Sequence, residues 1–298
     1  MATLPLLADS GPKLVGIARL AANGESLRQG HEVEYFTLPV RSLLNRCTGV
    51  RMPFTWTINP YRGCEFACKY CYARYTHEFM EMRDGVDFEQ KIYVKQHAAD
   101  LLRQELRRVK PGQEIAIGTA TDPYQPAERR YEVTRAILEE MSRHEGLELG
   151  IVTKSNVVLR DVDVLREVAR RNRLSVSLTI TTLKVGLARI LEPRAPRPDL
   201  RLEAMRQLNQ VGINAGVICA PVLPGITDSP RDLEALVRPR PRLAANTYSP
   251  IRCFSSRARR LSSCPSWKKN FLGSWKATVS VTRIARSCRR RTTSACRN

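Results

Sequence analysis

Three cysteines within eight residues, Cys64, Cys68 and Cys71, are the part of this 298-residue sequence best equipped for chemistry. Their C-x3-C-x2-C spacing gathers three thiolates on one loop, and thiolates are ligands for soft metals. A structural zinc site closes with four ligands. An iron–sulfur cluster of the 4Fe–4S type that keeps one iron open needs only three. No fourth cysteine stands in the loop. Cys47 or His77 could complete a zinc knuckle instead, and three unrelated buried thiols are the plainest alternative, since free cysteine packs well in cores.

The wider run from Asn59 to Arg74, NPYRGCEFACKYCYAR, with TDPYQPAERR and LEPRAPR downstream, resembles the radical S-adenosylmethionine (SAM) superfamily. Within it, the run looks like the branch related to spore photolyase, also described as DNA repair photolyase-like. The family loop is C-x3-C-x-aromatic-C, and Tyr70 fills the aromatic place. The resemblance covers about residues 40 to 237. It implies that Cys64, Cys68 and Cys71 hold three irons of a 4Fe–4S cluster, that SAM chelates the fourth, and that Tyr70 lies near adenine. It further implies an enzyme that reductively cleaves SAM to a 5′-deoxyadenosyl radical for hydrogen abstraction. A reductant such as flavodoxin or ferredoxin would then be a partner. In the spore photolyase relatives a tyrosine directly after the third cysteine is tied to hydrogen-atom relay, which makes Tyr72 a catalytic candidate; packing beside a cluster is the plainer role. Likeness of fold and motif does not fix a substrate. DNA is one option, and a peptide, RNA or a small molecule is equally open.

Such a loop needs a scaffold, and the sequence supplies strands alternating with helices. Residues 54–60 read as a short strand opening into the cysteine loop. Glu114–Gly118, Leu149–Thr153, Leu174–Thr181 and Ile213–Val222 read as four more strands. Apolar residues at helical spacing mark helices over His97–Val109, Glu128–His144, Asp161–Arg171 and Asp199–Val211. This alternation predicts right-handed βαβ units and a parallel sheet. Together with the resemblance it gives the fold class, α/β, as a partial (β/α)6 TIM-like barrel, with the C-terminal part disordered or scrambled. The expected organisation is an N-terminal approach segment over 1–50, a core domain over 51–237, and a basic tail over 238–298.

In parallel barrels chemistry sits where strands end. After the second strand, Thr119, Thr121 and Asp122 are candidates to hold the amino group of SAM, because an ammonium needs acceptors; an Asp-Pro turn capping the next helix is the alternative. After the third, Lys154 could meet a carboxylate or stand in solvent. After the fourth, Thr181 could touch the SAM ribose or cap a helix. Glu192 and Arg194 lie in a segment whose prolines exclude a regular helix, and could face SAM or substrate. After the fifth, Pro221 opens a rigid turn suited to packing on adenine. Cys219 reads as a buried small hydrophobe. His31, His77, His97 and His144 share no spacing that suggests a catalytic pair.

Composition bounds the rest. No apolar run approaches the length of a transmembrane helix, and the first twenty residues lack the order of a signal peptide. Nine cysteines, three packed in one loop, point to metal use in a reducing, cytoplasmic setting rather than to a disulfide framework. The net charge of +20 suggests nucleic acid, but its distribution weakens that reading. Residues 238–298 hold 16 of the 49 Lys and Arg and none of the 29 Asp and Glu, which leaves 33 basic against 29 acidic groups elsewhere. A basic tail binding nucleic acid, beside a zinc-stabilised module, is the alternative function. A frameshift explains the tail better. Read from each codon's third base, both Trp267-Lys268 and Trp275-Lys276 must encode glutamate, because tryptophan has a single codon. The shifted frame can also extend the helix that begins at Asp232. On that reading the last barrel strand and the C-terminal cap are scrambled.

Overall fold

The computed structural model describes residues 14–29, 32–48, 52–237 and 252–253. Its main sheet is built, in chain order, from Leu44–Arg46 (β1), Trp56–Ile58 (β2), Glu114–Ile117 (β3), Glu148–Thr153 (β4), Arg173–Thr179 (β5), Ala215–Cys219 (β6) and Arg252–Cys253 (β7). These stand side by side in the order β7-β6-β5-β4-β3-β2-β1. β1 pairs antiparallel with β2, and all pairs from β2 to β7 are parallel. Helices Ala98–Glu105 (α1), Val133–Met141 (α2), Val162–Arg171 (α3) and Pro198–Gln210 (α4) fall between successive strands. The result is an open, TIM-like barrel of the (β/α)6 kind.

The burial pattern explains why these segments became strands. Ile58, Ile115, Ile117, Leu149, Ile151, Val176 and Leu178 are all at most 2% exposed, and they pack against Leu102, Ile137, Leu138, Leu165 and Val168 of the helices. Strands covered on both faces read as apolar runs rather than alternating ones. That is how IAI, LGIV and the later runs were legible.

The long helix expected over Glu128–His144 is broken. Glu128–Tyr131 forms one turn, Glu132 takes a left-handed backbone (φ 49°), and α2 starts at Val133. The reason lies in Glu128, whose carboxylate accepts the backbone N–H of Thr134 (2.8 Å) and of Arg135 (3.1 Å). A buried side chain that caps the next helix wins over continued periodicity. The structure also adds elements the sequence did not announce. Val185–Leu191 is a helix. A second, four-stranded sheet joins Ser26–Gln29, Glu34–Leu38, Lys91–Lys95 and Tyr61–Arg62, covered by the helix Gly16–Ala22. Its strands are two to five residues long and pair across large sequence gaps, so local pattern carries little trace of them.

The basic tail and its proposed frameshift lie outside the described residues, apart from β7. Those two residues pair in parallel with β6, Ile218 opposite Arg252 and Cys219 opposite Cys253. No helix among the described residues is long and apolar enough to cross a membrane.

Candidate metal and cofactor site

The cysteine loop leaves the end of β2 and is held in shape by the loop after β3. Gly63 has φ 82°, and a Cβ there would stand 2.7 Å from the Lys91 carbonyl oxygen, so only glycine fits. Thr121 donates its hydroxyl to the Gly63 carbonyl (2.6 Å). Gln125 donates to the same carbonyl (3.2 Å) and accepts the N–H of Glu65 (3.0 Å). Asn59 accepts the N–H groups of Ala120 (2.8 Å) and Thr121 (3.3 Å). The Glu65 carboxylate accepts the N–H of Ala127 (2.7 Å) and the hydroxyl of Tyr35 (3.0 Å). Further along, Cys64 N–H reaches Phe88 O (2.9 Å), Lys69 N–H reaches Leu191 O (2.8 Å), and Arg74 donates to Cys68 O (3.1 Å). The loop is therefore pinned at both ends and in the middle.

Within it Cys64, Cys68 and Cys71 share one apolar cluster with Phe66, Tyr70 and Ala195. Burial, first among the causes, pushes all three thiols upward, Cys68 to about 12. Cys64 and Cys71 each also repel the Cys68 thiolate or are repelled by it. Three thiols, Cys68 buried and Cys64 and Cys71 half-buried, close enough to feel one another, fit a metal group whose charge would replace their protons. Among the described residues no three His, Cys, Asp or Glu side chains close around a single ion. Ligands of a many-iron cluster bind different irons and stand farther apart than four ligands at about 2.3 Å from one zinc. The proposed extra zinc ligand His77 is turned elsewhere. Its Nε2 lies 3.2 Å from Lys91 O, its ring meets Phe88 and Tyr93 edge-on, and burial pulls it down to about 4.

Beside the thiols lies a polar network. Tyr70 places its hydroxyl between Thr181 Oγ1 (2.9 Å) and the Glu192 carboxylate. Thr181 donates to Glu192 (2.9 Å), and Glu192 is paired with Arg201 at 2.6 Å, both side chains 1% exposed. Arg201 also donates to Pro196 O (2.8 Å) and Thr179 O (2.9 Å). Burial would raise Glu192, but Lys154 and Arg201 outweigh it and hold the carboxyl below its ordinary value. Burial likewise opposes the Lys154 charge, and Cys68, Glu192 and Asp122 outweigh it and lift the ammonium upward. Lys154 Nζ stands 5.8 Å above the Tyr70 ring.

Tyr70, Lys154, Thr181 and Glu192 thus converge on the cysteines. Asp122 also adjoins Cys64, through its backbone and its charge, and the remaining sequence candidates are engaged in other contacts. Asp122 is engaged within the protein, accepting Thr153 Oγ1 (2.6 Å), Lys154 N–H (2.7 Å) and Tyr124 N–H (2.9 Å), and Thr121 braces the loop as described. Their side chains tie loops together rather than offering a free acceptor for an ammonium. Thr119 receives the Tyr72 hydroxyl on its carbonyl and Asn59 Nδ2 on its Oγ1 (3.3 Å). Tyr72 is 61% exposed, and its phenol is pushed up to about 12 by desolvation first and then by the neighbouring Cys71. Arg194 pairs with Glu32, away from Glu192. Pro221 follows Ala220, whose carbonyl lies 3.4 Å from Thr181 Oγ1. Sequence reasoning missed Asn59, Gln125 and Arg201. Arg201 carried a signal: with Ala204 and Leu208 it falls on the buried stripe of α4, where a charge needs a partner.

A family model described as the Radical SAM superfamily matches residues 58–237. An uncharacterized protein of Mycobacterium tuberculosis is 38% identical over 199 residues, covering 66% of this chain and 58% of that protein. An uncharacterized protein of Methanocaldococcus jannaschii is 31% identical over 173 residues, covering 58% of this chain and 62% of that protein. Among solved structures, a spore photoproduct lyase mutant with bound AdoMet and dinucleoside spore photoproduct shares the fold with TM-score 0.53 at 17% identity. That match covers 68% of this chain and 55% of the lyase. The chain therefore spans less than two thirds of the relatives it matches.

Proposed function

The chain belongs to the radical SAM superfamily, and from that premise we propose that it is an enzyme that cleaves SAM reductively and abstracts hydrogen from its substrate. The observation that carries this reading is the convergence of Cys64, Cys68 and Cys71 with Tyr70 and Lys154 at the ends of parallel strands. The family implies SAM and an iron–sulfur cluster; we assign the cluster the 4Fe–4S type, held by the three thiolates alone. When bound, the cluster and SAM supply a single electron and a carbon radical, chemistry that no side chain provides.

The residues then divide the work. Cys64, Cys68 and Cys71 ligate iron. The loop clamps from Thr121, Gln125 and Glu65 keep those ligands in place, as outer partners do at metal sites. Lys154 offers the free cation for the SAM carboxylate. The Tyr70 ring lies beside adenine, its hydroxyl fixed by Thr181 and Glu192 so that the ring cannot swing. Arg201 neutralises Glu192. Thr119 and backbone carbonyls after β3 accept from the SAM ammonium, Pro221 packs on adenine, and Tyr72 stands at the exposed margin where a substrate would enter. Arg194, paired with Glu32, borders the site without entering it. The core domain spans 51–237, the approach segment 1–50 and the tail 238–298. An external reductant of the flavodoxin or ferredoxin type supplies the electron, and DNA damage of the dinucleoside kind is one substrate option. The cysteine usage suits the reducing cytoplasm.

The test is product analysis. The chain, reconstituted anaerobically with iron and sulfide and given dithionite and SAM, should release 5′-deoxyadenosine, and Cys68→Ala should release none. Equal release from both proteins would defeat the proposal.

A further inference from the structure

Two cations on one face of the four-stranded sheet, Arg62 and Lys95, make no ion pair among the described residues. In the antiparallel pair of Tyr61–Arg62 with Lys91–Lys95, Arg62 stands opposite Tyr93 and Tyr61 opposite Val94. Side chains alternate across a strand, so Arg62, Tyr93 and Lys95 share a face. Arg62 and Lys95 are diagonal neighbours there, a relation that sets Cβ atoms about 7–8 Å apart, within reach of long side chains.

Lys95 is 6% exposed, and among the described residues its ammonium makes no hydrogen bond and no ion pair. Arg62 donates to Thr76 O (3.2 Å), but its Nε is buried without an acceptor. The carboxylate whose field reaches Lys95 is Glu105, and it is already engaged, accepting the N–H groups of Leu43 (2.9 Å) and Leu44 (2.7 Å) on one oxygen. Burial first, and then Arg62, pull Lys95 down to about 7. Two like charges side by side and away from water, each with an unused donor, are unfavourable until an anion joins them. Tyr75, 46% exposed, lies within electrostatic reach of Arg62.

We propose that Arg62 and Lys95 form a binding site for a phosphate group beside the cysteine loop, two residues before Cys64. Near neutral pH a free phosphate carries up to two negative charges and a phosphodiester one, so either offsets the paired cations. The phosphate oxygens can accept both the orphaned guanidinium N–H and the ammonium in charge-assisted bonds. The phosphate is either free or the phosphodiester of a larger molecule. The site needs neither cluster nor SAM, so its failure and the failure of the proposed activity are separable.

Calorimetric titration of the full chain with inorganic phosphate, and with a dinucleoside monophosphate whose single phosphate is the internucleotide diester, tests this. Wild-type protein should bind. Lys95→Met and Arg62→Gln should each weaken binding about tenfold or more, the worth of one charged hydrogen bond, while Lys95→Arg retains it. Tighter binding of the dinucleoside monophosphate identifies the phosphodiester, and tighter binding of phosphate the free ion; either result supports the site. Thermal protection of wild-type protein by phosphate gives a second reading that requires no variant. Absence of binding and of protection in the wild type, or equal affinity in Lys95→Met and Arg62→Gln, overturns the proposal.

Discussion

Two triads of the same composition, Tyr61–Glu128–Arg160 and Tyr70–Glu192–Arg201, are each built on a buried glutamate, with Arg160 and Tyr70 half-buried, and they differ in how they close. In the first, Tyr61 donates to Glu128 at 2.5 Å and Arg160 donates to its other oxygen at 2.9 Å. Asp161 then receives Arg160 (2.8 Å) and Arg135 (3.1 Å), and Arg135 reaches Asp163 (2.6 Å). Charges alternate and close on themselves. In the second, the pair of Glu192 with Arg201 is equally closed, but Lys154 is left over, without an ion pair among the described residues, above Tyr70 and beside the thiols. The first network is closed by direct ion pairs; the second leaves the Lys154 ammonium held only by the fields of Cys68, Glu192 and Asp122.

The largest expected effect breaks the closed triad. Glu128→Ala removes the Arg160 partner, the acceptor of Tyr61 and the cap of α2 together, and should cost about 3–5 kcal/mol in urea unfolding. Lys154→Met should cost less than Glu128→Ala, because the half-buried Lys154 ammonium makes no ion pair among the described residues and is held only by the fields of Cys68, Glu192 and Asp122, and it should abolish the response of the reconstituted protein to SAM. A Lys154→Met protein as unstable as Glu128→Ala would erase the distinction between the triads.

Acid titration sharpens it further. Burial raises Glu128 above its ordinary 4.5. The folded state therefore binds that proton more readily than the unfolded chain, and stability from this group falls as pH rises above 4.5. Glu192 lies below 4.5 despite burial, because Lys154 and Arg201 attract its charge. Its contribution is present above 4.5 and is lost as pH falls through the lower folded value. As pH rises, wild-type stability should therefore gain relative to Glu192→Gln below 4.5 and lose relative to Glu128→Gln above 4.5; changes of the same sign would contradict the assignment. The smallest contrast is at the phenols. Tyr61→Phe loses one bond to a carboxylate, about 1.5–3 kcal/mol. Tyr70→Phe loses hydrogen bonds of the same kind, and should in addition raise the SAM concentration needed for half-maximal 5′-deoxyadenosine release; Tyr61→Phe should leave that concentration unchanged.

Much of the site was legible because its signal is local. Three cysteines in eight residues need no knowledge of tertiary structure, and β-branched runs such as those of β3 and β4 declare themselves. What escaped was non-local. Arg201 reaches Glu192 only because α4 packs across the end of β5. Gln125 and Asn59 clamp a loop some sixty positions away in sequence, or belong to it. The break at Glu132 follows from a carboxylate that finds the N–H groups of the next turn, which periodicity cannot register. The four-stranded sheet, which carries Arg62 and Lys95, pairs strands as short as two residues.

The central claim is that three thiolates hold an iron–sulfur cluster with an open iron facing Lys154 and Tyr70. EPR of the anaerobically reconstituted, dithionite-reduced chain, recorded with and without SAM, tests it most directly. The account predicts the signal of a reduced 4Fe–4S cluster whose shape changes when SAM is added, with that change lost in Lys154→Met. A colourless protein that takes up zinc, or a cluster signal indifferent to SAM, would contradict it.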